Sequence, residues 1–283
     1  MGLRIREWLL RALPKRLLTR LAGRVLRHPA SRILIPAFAG LYGIDLREAE
    51  KPWRAYASLA EYFARRLPAG SRVAEPDPAL VASPVDGTVS EAGMIRAGTL
   101  LQVKGMPYSV RHLLEDETCA NLDGGSYVTI YLAPGDYHRI HAPLTAVATS
   151  VIHVGGALFP VNRAGVRSVR GLFVQNERVI SWFVRGSGSF VLVKVGSLLV
   201  GSVRTTLCEP ACLSDRQRRS GSLTHCLKKP VAVRKGEELG WFEFGSTVIL
   251  IFSPGTVTLA VSPGQRVRAL ETIGRWIRPD AAV

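Results

Sequence analysis

From about residue 80 onward the chain is a succession of short runs rich in Val, Ile, Thr, Tyr and Phe, closed by Gly, Pro, Asn or Asp. Side chains branched at Cβ fit a pleated sheet, and such punctuation sets the turns between strands. The runs at 127–133 (YVTIYLA), 147–154, 178–184, 189–195, 198–205, 246–252 and 256–261 predict strands. Strands that follow one another through short turns predict mostly antiparallel pairing. Residues 212–230 are polar, basic and turn-rich, and read as an exposed loop.

The first part of the chain has a different period. Leu9, Leu10, Leu13, Leu17, Leu21 and Val25 recur at steps of three and four, which is helix spacing. Pro14 splits this stretch into two helices. Residues 53–67 (WRAYASLAEYFARRL) predict a further helix, and Pro68, Gly70, Pro76 and Pro78 mark a linker. The expected fold is therefore α+β: N-terminal amphipathic helices over 1–67, then a mostly antiparallel β body over 68–283.

The polar face of the first helices carries Arg4, Arg11, Lys15, Arg16, Arg20, Arg24 and Arg27, with Trp8 near its start. A basic amphipathic helix of this kind suits an anionic lipid surface. It also suits an ordinary helix whose apolar face packs on its own domain. The formal net charge of +15 again asks for an anionic partner. No apolar run reaches the roughly 18–20 residues of a spanning helix, so membrane contact is expected to be peripheral. The arginine-rich start has no continuous apolar stretch of a secretory signal.

Four cysteines are present, Cys119, Cys208, Cys212 and Cys226. With His225 the last three give C-x3-C-x12-H-C, which fits no compact zinc template, and reduced cysteines are the expectation. No metal is expected.

Three segments carry side chains suited to catalysis. Gly245-Ser246-Thr247 opens an apolar run; Gly-Ser is ordinary turn chemistry, yet glycine lets the next hydroxyl approach the preceding carbonyl, and serine becomes a nucleophile beside a base. Two of the six histidines, His138 and His141, lie three residues apart in YLAPGDYHRIHAP (131–143). They suit acid–base work, a structural role, or two ligands of a metal with no third in view. Ser83-Pro84-Val85-Asp86-Gly87-Thr88 is by default a hairpin turn, and Asp86 could orient a histidine. Asp136 could do the same, and spacing does not choose between them.

Together these segments resemble the phosphatidylserine decarboxylases. The resemblance rests on SPVDGT (83–88), YLAPGDYHRIHAP (131–143), LFPVN (158–162), NERV (176–179) and GST (245–247), in that order between about residues 50 and 265. Phe244 stands where that family usually has Leu; the flank stays apolar, and little effect on cleavage is expected. The resemblance implies a membrane-bound lyase that breaks its own Gly245–Ser246 bond. Asp86 would orient His141, and His141 would take the proton of Ser246. The cut would leave a 1–245 chain and a 246–283 chain that stay associated, with Ser246 converted to a pyruvoyl group. That carbonyl would bind the amine of phosphatidylserine as a Schiff base and yield phosphatidylethanolamine and carbon dioxide. His138 would return a proton to the substrate carbon. Phe159 and Asn162 would help bind substrate. The expected place is the cytoplasmic face of the cell membrane, and a homodimer is one allowed assembly.

Two other readings remain on residues alone. One is a serine hydrolase using an intact Ser246, although no G-x-S-x-G elbow is present. The other is a basic nucleic-acid-binding β-domain, although the β region has no evident row of exposed aromatics for stacking, and no nucleic acid is expected.

Overall fold

The computed structural model describes residues 14–102, 105–116, 121–198, 203–208, 221–243 and 245–277. Helix α1 (Lys15–Arg27) starts directly after Pro14, as expected. A 3-10 segment (Pro29–Leu34) leads into α2 (Ile35–Tyr42). The helix expected over 53–67 is shorter: a 3-10 turn at Trp53–Ala55, then α3 at Leu59–Phe63. The reason is local. Ser58 is extended and accepts from Glu61 N, while Glu61 reaches back to Ala57 N. This reciprocal cap starts a new helix at 59 instead of continuing an old one.

The β body begins with β1 (Leu80–Ala82), β2 (Gly87–Met94), β3 (Thr99–Gln102) and β4 (Met106–Ser109). After α4 (Val110–Leu114) come β5 (Ser126–Leu132), β6 (Arg139–His141) and β7 (Ala146–Val154). Helices α5 (Arg163–Ser168) and α6 (Leu172–Gln175) precede β8 (Arg178–Arg185), β9 (Gly188–Val195) and β10 (Val203–Thr205). The last strands are β11 (Leu223–His225), β12 (Val231–Val233), β13 (Glu238–Phe242), β14 (Ser246–Phe252), β15 (Val257–Leu259), β16 (Arg266–Val267) and β17 (Thr272–Trp276). The strands pair antiparallel throughout, and the α+β expectation holds.

The large sheet runs β11-β7-β8-β9-β14-β5-β2-β16, with β12 also on β7. Beside it lie two three-stranded sheets, β10-β13-β6 and β1-β17-β15, and a two-stranded sheet, β3-β4. Strand β14 (STVILIF) is buried along its whole length because each face of the sheet is covered. Val248, Leu250 and Phe252 join one apolar cluster with Phe190, Leu192 and Phe242; Ile249 and Ile251 join the other with Val193, Phe173 and Val154. A strand covered on both faces reads as a continuous apolar run, which is why the sequence marks it clearly.

Part of the expected 212–230 loop is strand. β11 pairs with the end of β7, and residues 212–220 lie outside the described residues. The strand expected over 198–205 is seen at Val203–Thr205, with 199–202 outside the described residues. Arg4, Trp8, Leu9, Leu10, Arg11, Leu13, Cys119, Cys212 and Phe244 also lie outside them.

Helix α1 is turned with its apolar side outward. Thr19 and Gly23 are buried, whereas Leu17, Leu21 and Val25 are exposed, Val25 at 62%. Ile33 (71%), Leu34 and Leu41 extend the exposed apolar surface. Basic side chains reach the other way: Arg16 donates to Gly156 O, Lys15 lies 4.6 Å over the Phe159 ring, and Arg27 pairs with Glu243. Leu26, by contrast, packs against the cluster of Ile35, Tyr56 and Tyr62, so among the described residues the apolar face is only partly covered by its own domain. No described helix is long and apolar enough to cross a membrane.

Candidate active site

Ser246 is the first residue of β14, and its hydroxyl is fully buried with no hydrogen-bond partner among the described residues. Register sets it opposite Leu132, the last residue of β5. The chain then turns through 133–137 and enters β6 beside β13. There Phe242 N donates to His138 O at 3.0 Å. Two short connections, 242 to 246 and 132 to 138, therefore tie His138 and Ser246 to the same end of the sheet.

The turn is held by Asp136. Its Oδ2 accepts from Ala133 N at 2.7 Å, and Arg266 donates to Oδ1 at 2.7 Å. Gly135 is required here, because a Cβ would lie 2.9 Å from Tyr42 O of α2. Gly240 of β13 has φ +143°, and a Cβ there would lie 2.0 Å from Arg204 O. Only glycine lets β10 and β13 approach this closely.

His138 is fully buried, with the Phe63 ring 4.1 Å from its own. Its Nδ1 lies 2.8 Å from Asp136 O. A carbonyl only accepts, so Nδ1 carries the proton and Nε2 presents a lone pair. That Nε2 has no partner among the described residues. Burial pushes the His138 pKa down to about 3, against a smaller opposing effect of the Asp136 carbonyl, so the ring is neutral at ordinary pH.

His141 is engaged at both nitrogens. Nδ1 donates to Gly236 O at 2.8 Å, and Nε2 accepts from the Tyr137 hydroxyl at 3.0 Å. The Tyr137 ring stacks on it at 5.7 Å. Burial lowers the His141 pKa and raises that of Tyr137 to about 12, so Tyr137 keeps its proton to donate.

Asp86 does not hydrogen-bond to His141 among the described residues. Arg72 donates to both its oxygens, at 3.2 and 2.7 Å, and Ala269 N donates to Oδ1 at 2.6 Å. The backbone still brings the two segments together, since His141 N donates to Pro84 O. A polar cavity of ≈ 500 Å³ adjoins this group, lined among others by Arg65, Arg72, Asp86, Asp136, Tyr137 and Arg266. Tyr137 and Arg72 were not singled out from sequence. Tyr137 lies inside the motif that holds both histidines, and Arg72 lies in the segment read as a linker.

Phe159 is buried beneath Lys15. Asn162 caps α5, its Oδ1 accepting from Gly165 N at 3.0 Å. No group of three or more His, Cys, Asp or Glu poised for a metal occurs among the described residues.

The site thus holds a buried serine after a glycine, at the sheet end that also carries the His138 imidazole. The family model described as phosphatidylserine decarboxylase matches residues 59–275. The chain belongs to the phosphatidylserine decarboxylase family. It is 44% identical over 272 residues to a phosphatidylserine decarboxylase proenzyme of Anaeromyxobacter sp. (strain K), covering 94% of this chain and 96% of that one. It is 42% identical over 255 residues to that of Brevibacillus brevis, covering 89% and 90%. The Herminiimonas arsenicoxydans proenzyme is 41% identical over 254 residues, covering 87% and 84%. The five segments that carry the resemblance all lie inside the span that the phosphatidylserine decarboxylase model matches.

Proposed function

We propose that this chain is a self-cleaving phosphatidylserine decarboxylase whose cofactor is a pyruvoyl group made from Ser246. The observation that carries the reading is the unpartnered Ser246 hydroxyl, fully buried directly after Gly245, with the unpartnered His138 Nε2 at the same sheet end. A buried polar atom without a partner calls for an explanation, and a reacting group is one.

Self-cleavage needs a base, a nucleophile and an adjacent carbonyl. His141 takes the Ser246 proton, after its Nε2 exchanges the Tyr137 hydroxyl for that of Ser246. The Ser246 oxygen then bonds to the Gly245 carbonyl carbon, and the peptide C–N bond breaks to leave an ester. Loss of the Cα proton of residue 246 expels the Gly245 carboxylate. Water then removes the nitrogen as ammonia, leaving a ketone at the head of 246–283. Asp86, fixed by Arg72, holds negative charge near the His141 imidazole as it gains a proton.

The residues present fit such a group: Leu132 stands opposite position 246 on β5 and Val248 follows it on the same strand face, both fully buried. The carbonyl supplies an electron sink for a substrate joined through its amine. His138 keeps Nδ1 on the Asp136 carbonyl and offers Nε2 for moving a proton at the substrate α-carbon. Arg65 donates to Gly135 O of the 133–137 turn, and Arg139 donates to Ala64 O.

The N-terminal part (1–67) serves as the membrane-associating region and 68–283 as the catalytic domain. The exposed apolar side of α1 and Ile33, with the arginines beside it, suits peripheral docking on the anionic cytoplasmic leaflet. Phe159, under α1, lies where lipid would enter; Asn162 is occupied by capping.

Intact-mass analysis of the purified chain tests this. Two fragments are expected, the smaller starting at a blocked position 246. A single full-length chain in an active preparation would overturn the reading. His141→Ala is expected to stay whole, and His138→Ala to cleave and fail in decarboxylation; a whole chain in His138→Ala would move the base to His138.

A further inference from the structure

Among the described residues, Lys194 alone of the lysines is fully buried. It sits in β9 in a cross-strand row with Val179 and Val248. Among the described residues its Nζ has one hydrogen bond, a long one of 3.4 Å to Thr205 Oγ1. An ammonium has three donors and is strongly hydrated, so this surrounding favours the neutral, nucleophilic amine. Burial accordingly lowers the Lys194 pKa to about 8, with Cys208 and Cys226 nearby acting in the opposite sense.

Register places this amine with respect to the proposed reacting residue. Lys194 pairs with Val248. Ser246 lies two residues before Val248 on the same strand, so both side chains leave the same face. Diagonal neighbours on one face of a sheet stand about 7–8 Å apart, within reach of a long side chain. One step beyond the Thr247↔Val195 pair the facing chain has Gly196, which puts no side chain between them. None of the self-cleavage steps above uses Lys194.

We propose that Lys194 is the resident amine partner of the carbonyl that position 246 acquires, bonded to it until a substrate amine takes its place. This rests on the self-cleavage reading above. The Nζ lone pair bonds to the carbonyl carbon, and the carbonyl oxygen leaves as water with the two amine hydrogens, giving C=N. An incoming primary amine adds to that carbon and passes its two hydrogens to Nζ, which departs as free amine. No electrons are gained or lost, so no oxidant or reductant is required. Without substrate, the 1–245 and 246–283 chains are then one covalent unit joined through Lys194. Exchanging one amine for another also spares the apolar pocket from admitting free water to the carbonyl.

Reduction with borohydride in the absence of lipid makes this link permanent. The full-length purified protein, after cleavage, is expected to give a denaturation-resistant species with the mass of both chains, less one water and plus two hydrogens. Peptide mapping should join Lys194 to position 246. Adding short-chain phosphatidylserine before the borohydride should move the label to a lipid adduct on the small chain and abolish the joined species. Cleaved chains that stay separate, with two hydrogens added to the small chain alone, overturn the inference while leaving self-cleavage intact. A join through any other lysine also overturns it. A chain that never cleaves refutes the underlying reading instead.

Discussion

Protonation of His138 gives a test with a calculable size. The ring is buried, with a folded pKa of about 3, against about 6.5 in an unfolded chain. Between those values the unfolded state binds a proton that the folded state refuses. Stability therefore rises with pH across the window, and falls as pH drops from the unfolded value toward the folded one. At about pH 7 the handicap is about 0.2 kcal/mol, and at about pH 5 it is about 2 kcal/mol, from RT times the logarithm of the ratio of the two binding polynomials. The acid figure is set by the unfolded pKa, so moving the folded value by about a unit leaves it nearly unchanged. The assay is urea unfolding of the Ser246→Ala chain, which is expected to stay whole, with and without His138→Gln. His141 is also lowered by burial, and the comparison cancels its effect along with the carboxylates. The His138→Gln chain should lose about 2 kcal/mol less than its parent on going from about pH 7 to about pH 5. Equal losses in the two chains would refute the neutral, desolvated His138.

Arg72→Met should destabilise the fold by about 3 kcal/mol in denaturant unfolding, because it strands the mostly buried Asp86 carboxylate; an unchanged midpoint would deny the pair a structural role. Tyr137→Phe removes the donor that holds the His141 lone pair, so the His141 pKa should move up in an NMR titration; an unmoved titration would mean the hydroxyl does not bond there. Val25→Glu should sharply weaken binding to anionic vesicles and leave the melting temperature within about 2 °C, since Val25 is exposed; undiminished binding would remove the outward face of α1 from the membrane contact.

The long strands were legible because their period is local. β5, β7, β8, β9 and β14 each fall within a residue of the predicted runs. β1, β3, β4, β6, β12 and β16 have two to four residues, too few for any period to show, and exist because a partner strand lies beside them. The capping signal Ser58-x-x-Glu61 was present in the sequence but hidden inside an apolar pattern that suggested one longer helix. Ser246, His138, His141 and Asp86 could be named from the motifs. The partners Tyr137, Gly236 and Arg72 could not, since each contact depends on how segments meet in three dimensions. Arg72 and Asp86 illustrate this: sequence offered Asp86 to His141, and folding gives its oxygens to an arginine from the linker that precedes both.

The site of the proposed cut also determines what the cut can do. The Gly245–Ser246 bond sits at the mouth of β14, and breaking it severs the backbone without removing a single strand pairing. β14 stays bonded on one side to β5 and on the other to β9, both from the larger piece. β16 remains on β2 and β17 on β1. Every apolar side chain of β14 remains buried between the two clusters. Withdrawing the smaller piece would expose this whole strand to water, at about 1.5–3 kcal/mol for each large side chain. Val248, Ile249, Leu250, Ile251 and Phe252 alone make that loss comparable with the stability of a typical domain. The two pieces should therefore stay together without a disulfide. The new terminus gains freedom only at residue 246, where a reacting group has to meet its substrate.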